Sequence, residues 1–344
     1  MLNKIIKEAD IQKAKKIIDK FDRFVIVTHI SPDGDALGSS LGLYHFLTGL
    51  GKRVNIVVPN DFPDFLKWMP GRKEIIIAKW KETLAADIIR NAEVLFCLDF
   101  NTINRIEQLG APVMQSRATK IMIDHHPYPD DFCSLTISHP EISSTSELIF
   151  RFICRMGLFE YLDRNCAECI YTGMMTDTGA FTYNSNAPAI YYIISELLLK
   201  GINKDAIYSK VYNSCTETRI RLQAYVIYEK MKIFPNGKIA LTTLSLSEQK
   251  QFLCRKGDTE GFVNIPLSIE SIVLSVFIRE DENMIRISFR SKGSFPTNEL
   301  AAAVFGGGGH LNASGGEYYG TLEEAAALLE EALPRYEPLL FHEL

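Results

Sequence analysis

The N-terminal part of the chain alternates short apolar runs with longer amphipathic segments. Buried strands are predicted where β-branched residues dominate these runs, at 24–28, 54–58, 94–98 and 121–123. Helices are predicted where apolar residues recur at helical spacing, at 4–20, 36–47, 101–109, 165–175 and 187–199. Strands and helices that alternate in this way predict an α/β domain with a mostly parallel sheet and flanking helices.

The pattern changes after Met231, where strands and turns follow one another. Strands are predicted there at 232–234, 238–243, 272–278 and 284–290, and short helices at 298–304 and 322–333. A polar helical stretch precedes the change. We therefore expect an N-terminal catalytic domain at 1–195, a helical connector at 196–230 and a smaller C-terminal α/β domain at 231–344. The active site is expected in the cleft between the domains.

The composition narrows the class of protein. A length of 344 residues with 47% hydrophobic residues suits two domains of a globular protein. The net charge of −5 gives no sign of the basic surface that proteins binding long nucleic acid usually carry. No run of about 18 apolar residues is present, so we expect neither a membrane span nor a membrane partner.

The seven cysteines are scattered along the chain and do not form a disulfide framework. This usage indicates a reducing compartment, and together with the lack of a signal-peptide pattern it predicts a cytoplasmic protein. Cys166 and Cys169 form a C-x-x-C pair with no second pair nearby. We expect them to pack within a helix rather than to bind zinc.

Acids and histidines collect where the predicted N-terminal strands end, and one more acid ends a helix. They are His29, Asp33, Asp35, Asp99, Asp124, His125, His126 and Asp177. In an open α/β sheet, side chains just past the carboxyl ends of the strands line the ligand crevice. So many ionisable groups beside apolar strands require cations to neutralise them.

Two divalent metal ions about 3.5–4 Å apart would meet this requirement and suit in-line displacement at phosphorus. Oxygen ligands with one imidazole per metal favour Mn²⁺, with Mg²⁺ or Co²⁺ as alternatives. Asp33 and Asp35 also precede a predicted helix and could cap it. Capping needs only one acid, however, and does not require His29 four positions before Asp33.

Two further stretches have phosphate-binding character. Four glycines at 306–309 precede His310, and their backbone N–H groups can approach phosphate oxygens closely, whereas the alternative is a flexible turn. The helix start at 143–147 carries a Ser/Thr cap and an early acid, and can either be simply capped or receive a phosphate.

Five motifs in order resemble the DHH phosphoesterase superfamily, which is RecJ-like. They are His-Ile-Ser-Pro-Asp-Gly-Asp-Ala-Leu-Gly-Ser at 29–39, Asp99, Asp124-His125-His126, the Asp177 segment, and Gly-Gly-Gly-Gly-His at 306–310. The last is similar to the hallmark of the DHH-associated C-terminal domain. Within the superfamily, the chain is most similar to the stand-alone nano-RNA phosphoesterases, which act on short oligoribonucleotides and in many members on 3′-phosphoadenosine 5′-phosphate.

The resemblance implies a role for each matching residue. One metal would be held by His29 and Asp33, and the other by Asp35, His125 and Asp177, with Asp99 bridging the two. A bridging hydroxide would then attack the phosphorus in line. His126 would face the scissile phosphate, and Asp124 would orient the histidines. Substrate contacts are implied for Arg290, Ser291, Gly307, Gly308, Gly309 and His310; a solvated strand end is the alternative for Arg290.

Other functions stay open at this level. Within the superfamily these are a cyclic-dinucleotide phosphodiesterase and an exopolyphosphatase or pyrophosphatase-like hydrolase. A different class is a metal-free nucleotide-binding module on the same fold, which the filled ligand positions disfavour. A long-substrate exonuclease is the other alternative, and the acidic net charge disfavours it. A homo-oligomer is compatible with the sequence.

Overall fold

The computed structural model describes residues 5–255 and 257–341. Their contacts divide the chain into two units, Met1–Ser214 and Cys215–Leu344. The division falls inside the expected connector, and the domain bounds 1–195, 196–230 and 231–344 stay predictions; residues 1–4 and 342–344 of those ranges lie outside the described residues. None of the described helices is both long enough and apolar enough to cross a membrane.

The first unit is built from parallel strands and helices. Its strands are β1 (Arg23–Val27), β2 (Arg53–Val58), β3 (Ile75–Ile77), β4 (Val94–Leu98), β5 (Thr119–Asp124) and β6 (Leu135–Ser138). Its helices are α1 (Glu8–Lys20), α2 (Gly34–Gly49), α3 (Glu82–Arg90), α4 (Gly110–Gln115), α5 (Thr145–Arg155), α6 (Arg164–Asp177), α7 (Pro188–Leu199) and α8 (Lys204–Tyr212).

Within the described residues these strands form one parallel sheet in the order β3-β2-β1-β4-β5-β6. The chain runs outward from β1 to β3 and then returns to place β4 on the other side of β1. The strand order therefore reverses between β1 and β4, and crevices at such reversals receive the ligands of open α/β sheets.

Alternate residues of β1 show why the sheet is covered on both faces. Phe24 and Ile26 belong to one buried apolar cluster, which also contains residues of α2, α5 and α6. Val25 and Val27 belong to a second cluster on the other face, with residues of α3 and α4. Because successive side chains of a strand point to opposite faces, a run apolar throughout requires cover on both sides.

The small residues of α2 pack against a helix rather than against the sheet. A Cβ added at Gly38 would lie 2.7 Å from the Cα of Gly173 in α6. At Gly42 it would lie 2.8 Å from the side chain of Ile170, also in α6. From the sequence, small residues at these positions of a helix could equally have allowed close packing on the sheet; the structure places both glycines against α6. Because these glycines have no side chain, the backbones of α2 and α6 approach each other closely.

The segment predicted as a helix at 101–109 is different in the structure. A 3₁₀ helix spans Ile103–Leu109, with Glu107 at a positive φ of 44°, and α4 begins only at Gly110. Pro112 then lies in the first turn of α4, where a backbone N–H is not needed for the helix. Apolar spacing alone does not reveal where such a chain changes direction.

Cys166 and Cys169 confirm the packing prediction for the C-x-x-C pair. Both are buried in α6, where the Sγ of Cys166 lies 3.2 Å from the carbonyl oxygen of Gly42. Burial raises the pKa of both thiols above the ordinary value. Neither thiol therefore has the thiolate character that a redox motif requires.

The second unit contains a mixed sheet and fewer helices. Its strands are β7 (Lys232–Ile233), β8 (Ile239–Leu244), β9 (Leu274–Glu280), β10 (Ile285–Ser291), β11 (Gly308–His310) and β12 (Ala313–Tyr318). Its helices are α9 (Glu217–Tyr225), α10 (Leu246–Gln251), α11 (Thr297–Phe305) and α12 (Leu322–Ala332). Within the described residues the strand order is β11-β12-β10-β9-β8-β7.

The glycine-rich stretch expected to be a loop is partly a strand. Residues Gly308–His310 form β11 and pair with β12. A Cβ at Gly307 would collide with the carbonyl oxygen of Gly315, and one at Gly309 would lie 2.5 Å from that of Ala313. Two of the glycines are thus required by a close backbone approach, which is a structural reason in addition to any phosphate contact.

A single carboxylate links three segments of the second unit. The Oε1 atom of Glu248 accepts hydrogen bonds from the Tyr225 hydroxyl and from Lys230 Nζ, each at 2.7 Å. Its Oε2 atom accepts one from the backbone N–H of Ser245 at 2.8 Å. Although burial opposes it, the hydrogen bonds from Lys230, Ser245 and Tyr225 lower the pKa of Glu248 to about 2.

We expect Glu248→Gln to lower the free energy of unfolding by about 1–3 kcal/mol at neutral pH, because charged hydrogen bonds are lost. The folded-state pKa lies below the ordinary value of 4.5, so this stability is present above about pH 4.5 and lost as the pH falls toward about 2. Urea unfolding at a series of pH values from 7 down to about 2.5 measures it. Glu282→Gln, in an exposed turn, is the control; an equal loss there would contradict the assignment.

Candidate metal centre

The predicted acids and histidines of the first unit meet at the carboxyl ends of β1, β4 and β5. His29 follows β1 by two residues, Asp99 follows β4 directly, and Asp124 is the last residue of β5. Parallel neighbours end at the same edge of a sheet, so these three strands place the side chains together. This edge is also where the strand order reverses.

One group contains His29, Asp33 and Asp99. The Nε2 atom of His29 lies 3.4 Å from Oδ2 of Asp99 and 3.9 Å from Oδ1 of Asp33. Asp33 also caps α2, since its Oδ1 accepts from the N–H groups of Asp35 and Ala36 at 3.0 Å each. The capping alternative therefore holds for Asp33, and it does not remove Asp33 from the group.

A second group contains Asp35, His125 and Asp177. The Nε2 atom of His125 lies 3.9 Å from Oδ2 of Asp35 and 3.6 Å from Oδ2 of Asp177. Asp35 comes from the first turn of α2, and Asp177 is the last residue of α6. The close contact of α2 with α6 brings them together, which the spacing of these residues along the chain does not reveal.

Asp99 reaches both groups. Its Oδ2 faces His29, whereas its Oδ1 lies 3.7 Å from Nε2 of His125. The backbone of Asp99 is left-handed, with φ at 63°, directly after the extended strand β4. Aspartate tolerates this conformation better than most residues do. The turn directs the carboxylate between the two groups rather than along the strand.

Backbone contacts set the orientation of two histidine rings. Nδ1 of His29 lies 2.7 Å from the carbonyl oxygen of Ile30, and Nδ1 of His125 lies 3.1 Å from that of Ile142. A carbonyl oxygen only accepts, so Nδ1 carries the proton in both rings. In the neutral ring, Nε2 then presents its lone pair toward the carboxylates, as a metal ligand must.

His126 has a different environment from His125. Its Nδ1 lies 2.8 Å from Oδ1 of Asp124, and its backbone N–H donates to Oδ2 of the same carboxylate at 3.1 Å. The two neighbouring rings have centroids 4.8 Å apart and planes at 69° to each other. Asp124 thus orients His126, and the carbonyl oxygen of Ile142 orients His125; the implied role of Asp124 toward both rings stays a prediction.

The protonation equilibria reflect crowded negative charge. Burial raises the pKa of Asp35 well above its ordinary value, and the carboxylates of Asp99 and Asp177 raise it further. Burial opposes protonation of His125, yet Asp177, Asp99 and Asp35 raise its pKa to about 9. Burial lowers the pKa of His126. The raised pKa values of Asp35 and His125 thus reflect crowded negative charge that divalent cations could neutralise.

The two groups fit divalent cations. Ligands of an octahedral ion lie about 3 Å apart because each is about 2.1 Å from the ion. The donor atoms here are slightly wider apart, at 3.4–3.9 Å, which small side-chain rotations can close. Each group offers carboxylate oxygens and one imidazole, a set typical of Mn²⁺ and of related ions.

Two residues near this site were missed from the sequence. The hydroxyl of Thr145 donates to Oδ1 of Asp99 at 2.9 Å, so the helix start at 143–147 meets carboxylates where a phosphate was considered. Burial and the guanidinium of Arg105 lower the pKa of His126; they also oppose protonation of His29, but the hydrogen bond to Asp99 raises the pKa of that ring overall. A Ser/Thr cap pattern locates a helix start but does not reveal its ligand, and a lone arginine carries no signal.

The predicted substrate-binding residues lie in the second unit. Arg290 of β10 pairs with Ala313 of β12, which in turn pairs with His310 of β11. Directly paired residues share a face of the sheet, so Arg290 and His310 lie on one face, about 10 Å apart across two strand spacings. The structure therefore brings Arg290 and His310 into one row.

Ser291 is not part of this row. It follows Arg290 on the same strand and so points to the opposite face. Its buried hydroxyl donates to the carbonyl oxygen of Phe295 at 2.8 Å and accepts from Asn312 at 2.8 Å. Of the glycines, Gly308 is exposed with open space around its Cα. Substrate contact by Ser291, Gly307, Gly308 and Gly309 stays a prediction.

Both units match known families. Residues 23–174 match the DHH family, N-terminal domain, and residues 236–334 match the DHHA1 domain. The bifunctional oligoribonuclease and PAP phosphatase NrnA of Thermus thermophilus is 31% identical, over 90% of this chain and 88% of that protein. The NrnA of Bacillus subtilis, named for the same two activities, is 26% identical over 92% of this chain and 95% of that protein.

Solved structures agree on the fold. An exopolyphosphatase-related protein from Bacteroides fragilis is 59% identical, with a TM-score of 0.94 over 98% of this chain and 99% of that one. RecJ from Thermus thermophilus, in complex with Mn²⁺, is 12% identical, with a TM-score of 0.52 over 96% of this chain and 55% of that one. The RecJ likeness concerns the fold alone.

Proposed function

The chain belongs to the DHH family, and from that premise we propose that it is a metal-dependent hydrolase of short oligoribonucleotides and of 3′-phosphoadenosine 5′-phosphate. The observation that carries the proposal is the position of Asp99, with one carboxylate oxygen toward His29 and the other toward His125. A carboxylate shared by two donor groups is the arrangement that two-metal phosphoesterases use.

The relatives support the substrate class. Proteins that match over about nine-tenths of the chain are oligoribonucleases and PAP phosphatases, hence phosphoric ester hydrolases. The matches extend through both the DHH and the DHHA1 domain, so the likeness is not limited to the metal-binding part. The net charge of −5 supports a short anionic substrate, since long nucleic acid is held through many phosphate contacts.

We assign one divalent ion to His29, Asp33 and Asp99 and a second to Asp35, His125, Asp177 and Asp99, with Mn²⁺ as the favoured metal and Mg²⁺ or Co²⁺ as alternatives. When bound, such ions lower the pKa of water and neutralise charge at the phosphate. The cytoplasmic location, a homo-oligomer and an active site between the two domains stay predictions.

The protein residues contribute orientation and proton transfer. Asp124 holds Nδ1 of His126, which leaves Nε2 to act toward a substrate. The neighbouring carboxylate favours a proton on the ring once an anionic phosphate approaches, and Nε2 can then donate to the leaving oxygen. The guanidinium of Arg105, whose charge acts on His29 and His126, would add a positive charge near the phosphate.

A second candidate is hydrolysis of polyphosphate. The 59% identity to an exopolyphosphatase-related protein favours it, because both chains are covered almost completely. The metal-binding groups would serve either substrate, since both present phosphoryl groups. The two candidates differ in whether a nucleoside must be bound, and a direct comparison of substrates separates them.

We expect dinucleotides to be hydrolysed faster than a strand of about 24 nucleotides at equal concentration, because a long strand is held through many cationic contacts and the chain has a net charge of −5. Purified protein with Mn²⁺ would be assayed against dinucleotides, the longer strand, 3′-phosphoadenosine 5′-phosphate, cyclic di-AMP and polyphosphate. Equal rates on short and long strands would contradict the short-substrate proposal. Polyphosphate as the best substrate would replace it with the second candidate.

We expect His310→Ala to keep metal binding and to lose activity on dinucleotides and on 3′-phosphoadenosine 5′-phosphate, because we assign the Arg290 and His310 row to a substrate phosphate. Bis-p-nitrophenyl phosphate, which needs no second anchoring site, should be affected much less. His139→Ala, in the first unit and outside both donor groups, is the control. An equal loss on the generic ester and the dinucleotide would reject the assignment.

A further inference from the structure

Helix α5 begins against the carboxylates of the candidate metal centre. Ser144 caps this helix through its side chain, which accepts from the N–H of Glu147 at 3.0 Å. The N–H groups of Thr145 and Ser146, which lie between the cap and Glu147, are therefore available to another acceptor. That acceptor is Asp35: Thr145 N–H donates to its Oδ2 at 2.6 Å, and Ser146 N–H donates to its Oδ1 at 2.8 Å.

The side chain of Thr145 contacts the second carboxylate. Its Oγ1 donates to Oδ1 of Asp99 at 2.9 Å, and both residues are buried. Thr145 thus holds Asp35 through its backbone and Asp99 through its hydroxyl. Asp35 belongs to the donor group of His125, whereas Asp99 is shared by both groups. A single residue outside the predicted ligands therefore contacts carboxylates assigned to both ions.

The start of α5 is itself held from two sides. Oε2 of Glu147 accepts from the Ser143 hydroxyl at 2.6 Å, and Oε1 accepts from Nε of Arg151 at 2.8 Å. On the other side lies Gly173 of α6. A Cβ there would collide with Ser146 and would lie 3.0 Å from Oδ1 of Asp35. A helix start with so little freedom can position a carboxylate accurately.

The geometry of Asp99 indicates what the hydroxyl does. Its Oδ1 lies near Thr145 and His125, and its Oδ2 faces His29. Rotation of the carboxylate about its terminal bond would turn both oxygens away from these directions. A hydrogen bond from a fixed helix start to the nearer oxygen opposes this rotation, because turning the carboxylate plane part of the way breaks the bond.

We propose that Thr145 is a positioning residue that keeps one oxygen of Asp99 toward each donor group. This inference rests on the proposed function, because the two groups are assigned there to two ions. The bond also supplies a donor to one oxygen of a buried carboxylate, as groups contacting metal ligands commonly do. Thr145 acts through Asp99 and is not assigned a contact with the substrate.

The test compares Thr145→Val, which removes the hydroxyl but keeps the shape, with Thr145→Ser, which keeps the hydroxyl. Isothermal titration with MnCl₂ measures metal affinity on the full chain, and kcat and KM are measured on a dinucleotide. Thr242→Val is the matched control, since Thr242 is equally buried and its hydroxyl bonds to the carbonyl oxygen of Val276 in the second unit.

We expect Thr145→Val to raise the Mn²⁺ dissociation constant by about 10–100-fold, the usual effect of losing a contact to a metal ligand. The value of kcat should fall while KM changes little, since substrate binding is not altered. Thr145→Ser should restore both affinity and kcat to near the wild-type values. Thr242→Val should leave metal affinity unchanged.

Several outcomes would overturn the inference. An unchanged Mn²⁺ affinity in a folded Thr145→Val protein would overturn the inference and leave the proposed function in place. So would an equal loss in Thr145→Ser, because the methyl group and not the hydroxyl would then matter. If Thr145→Val does not fold, Thr145→Ser is compared with Thr145→Ala. A loss of Mn²⁺ affinity in Thr145→Ala but not in Thr145→Ser supports the positioning role, whereas equal Mn²⁺ affinities of the two variants reject it. Wild-type protein that binds none of Mn²⁺, Mg²⁺ and Co²⁺ would overturn the proposed function as well.

Discussion

Asp99→Ala is expected to lower kcat/KM on a dinucleotide by at least about a thousandfold and to abolish tight Mn²⁺ binding. The carboxylate faces His29 through one oxygen and His125 through the other, so its removal takes a ligand from both donor groups. Asp35 and Asp177 would also lose the cation that offsets their charge. Elemental analysis and titration with Mn²⁺ measure the metal content, and initial rates measure the activity.

The backbone of Asp99 calls for a second variant. Its φ of 63° is strained for alanine, whereas asparagine adopts this conformation readily. Asp99→Asn therefore keeps the turn and the size of the side chain while removing the charge. We expect Asp99→Asn to fold as well as wild type and still to lose metal. If either variant kept two metals per chain and normal activity, the bridging assignment would be wrong.

His126→Ala is expected to lower kcat by about 100-fold or more while metal content stays near that of wild type. His125→Ala should instead lower metal occupancy first. The basis is the different surroundings of the two rings: Nε2 of His125 faces Asp35 and Asp177, whereas His126 is held by Asp124 through Nδ1. Metal content per chain and kcat, measured on the same preparations, separate these roles.

His126→Gln is a useful companion, since it keeps a polar side chain that cannot act as an acid near neutral pH. A kcat as low as that of His126→Ala would favour proton transfer over a simple hydrogen bond. Asp124→Asn should then produce a smaller loss, because it weakens the orientation of His126 without removing it. Equal metal loss in the His125 and His126 variants would contradict the division of labour.

The two histidines also show which features of the site the sequence predicts and which it does not. The sequence Asp124-His125-His126 after an apolar run correctly indicated a strand end with ionisable groups, because strand propensity and the following proline are local properties. Because His125 and His126 are adjacent, their side chains cannot both point in the same direction, and this divergence also follows from the sequence. Which ring receives Asp124 and which receives the carbonyl oxygen of Ile142 depends on contacts over up to 17 residues.

The helix expected at 101–109 is a case in which the sequence pattern predicted the wrong local structure. Apolar spacing there was compatible with an α-helix, yet the chain forms a 3₁₀ helix with a positive φ at Glu107. The N–H of Ile30 donates to the carbonyl oxygen of Arg105 at 2.8 Å, tying this segment to the loop after β1. A tertiary hydrogen bond of this kind competes with local helix propensity and leaves no periodic signal.

Residue pattern alone therefore determined the class of fold, the positions of four buried strands along the N-terminal part of the chain and the acids and histidines that follow them. These follow from local propensity and from burial on both faces of a parallel sheet. The tertiary structure decided which of those side chains lie together in each donor group. The meeting of Asp35 with Asp177 needed the close approach of α2 and α6 at Gly38 and Gly173.

The same holds for contacts that no motif contains. Thr145 meets Asp99 across 46 positions of sequence, and Arg290 shares a sheet face with His310 only because β12 lies between their strands. Such contacts depend on strand order, register and helix packing, which arise from the free energy of the whole fold. A residue pattern records the chemistry that is available, and the packing of the chain determines which groups can act together.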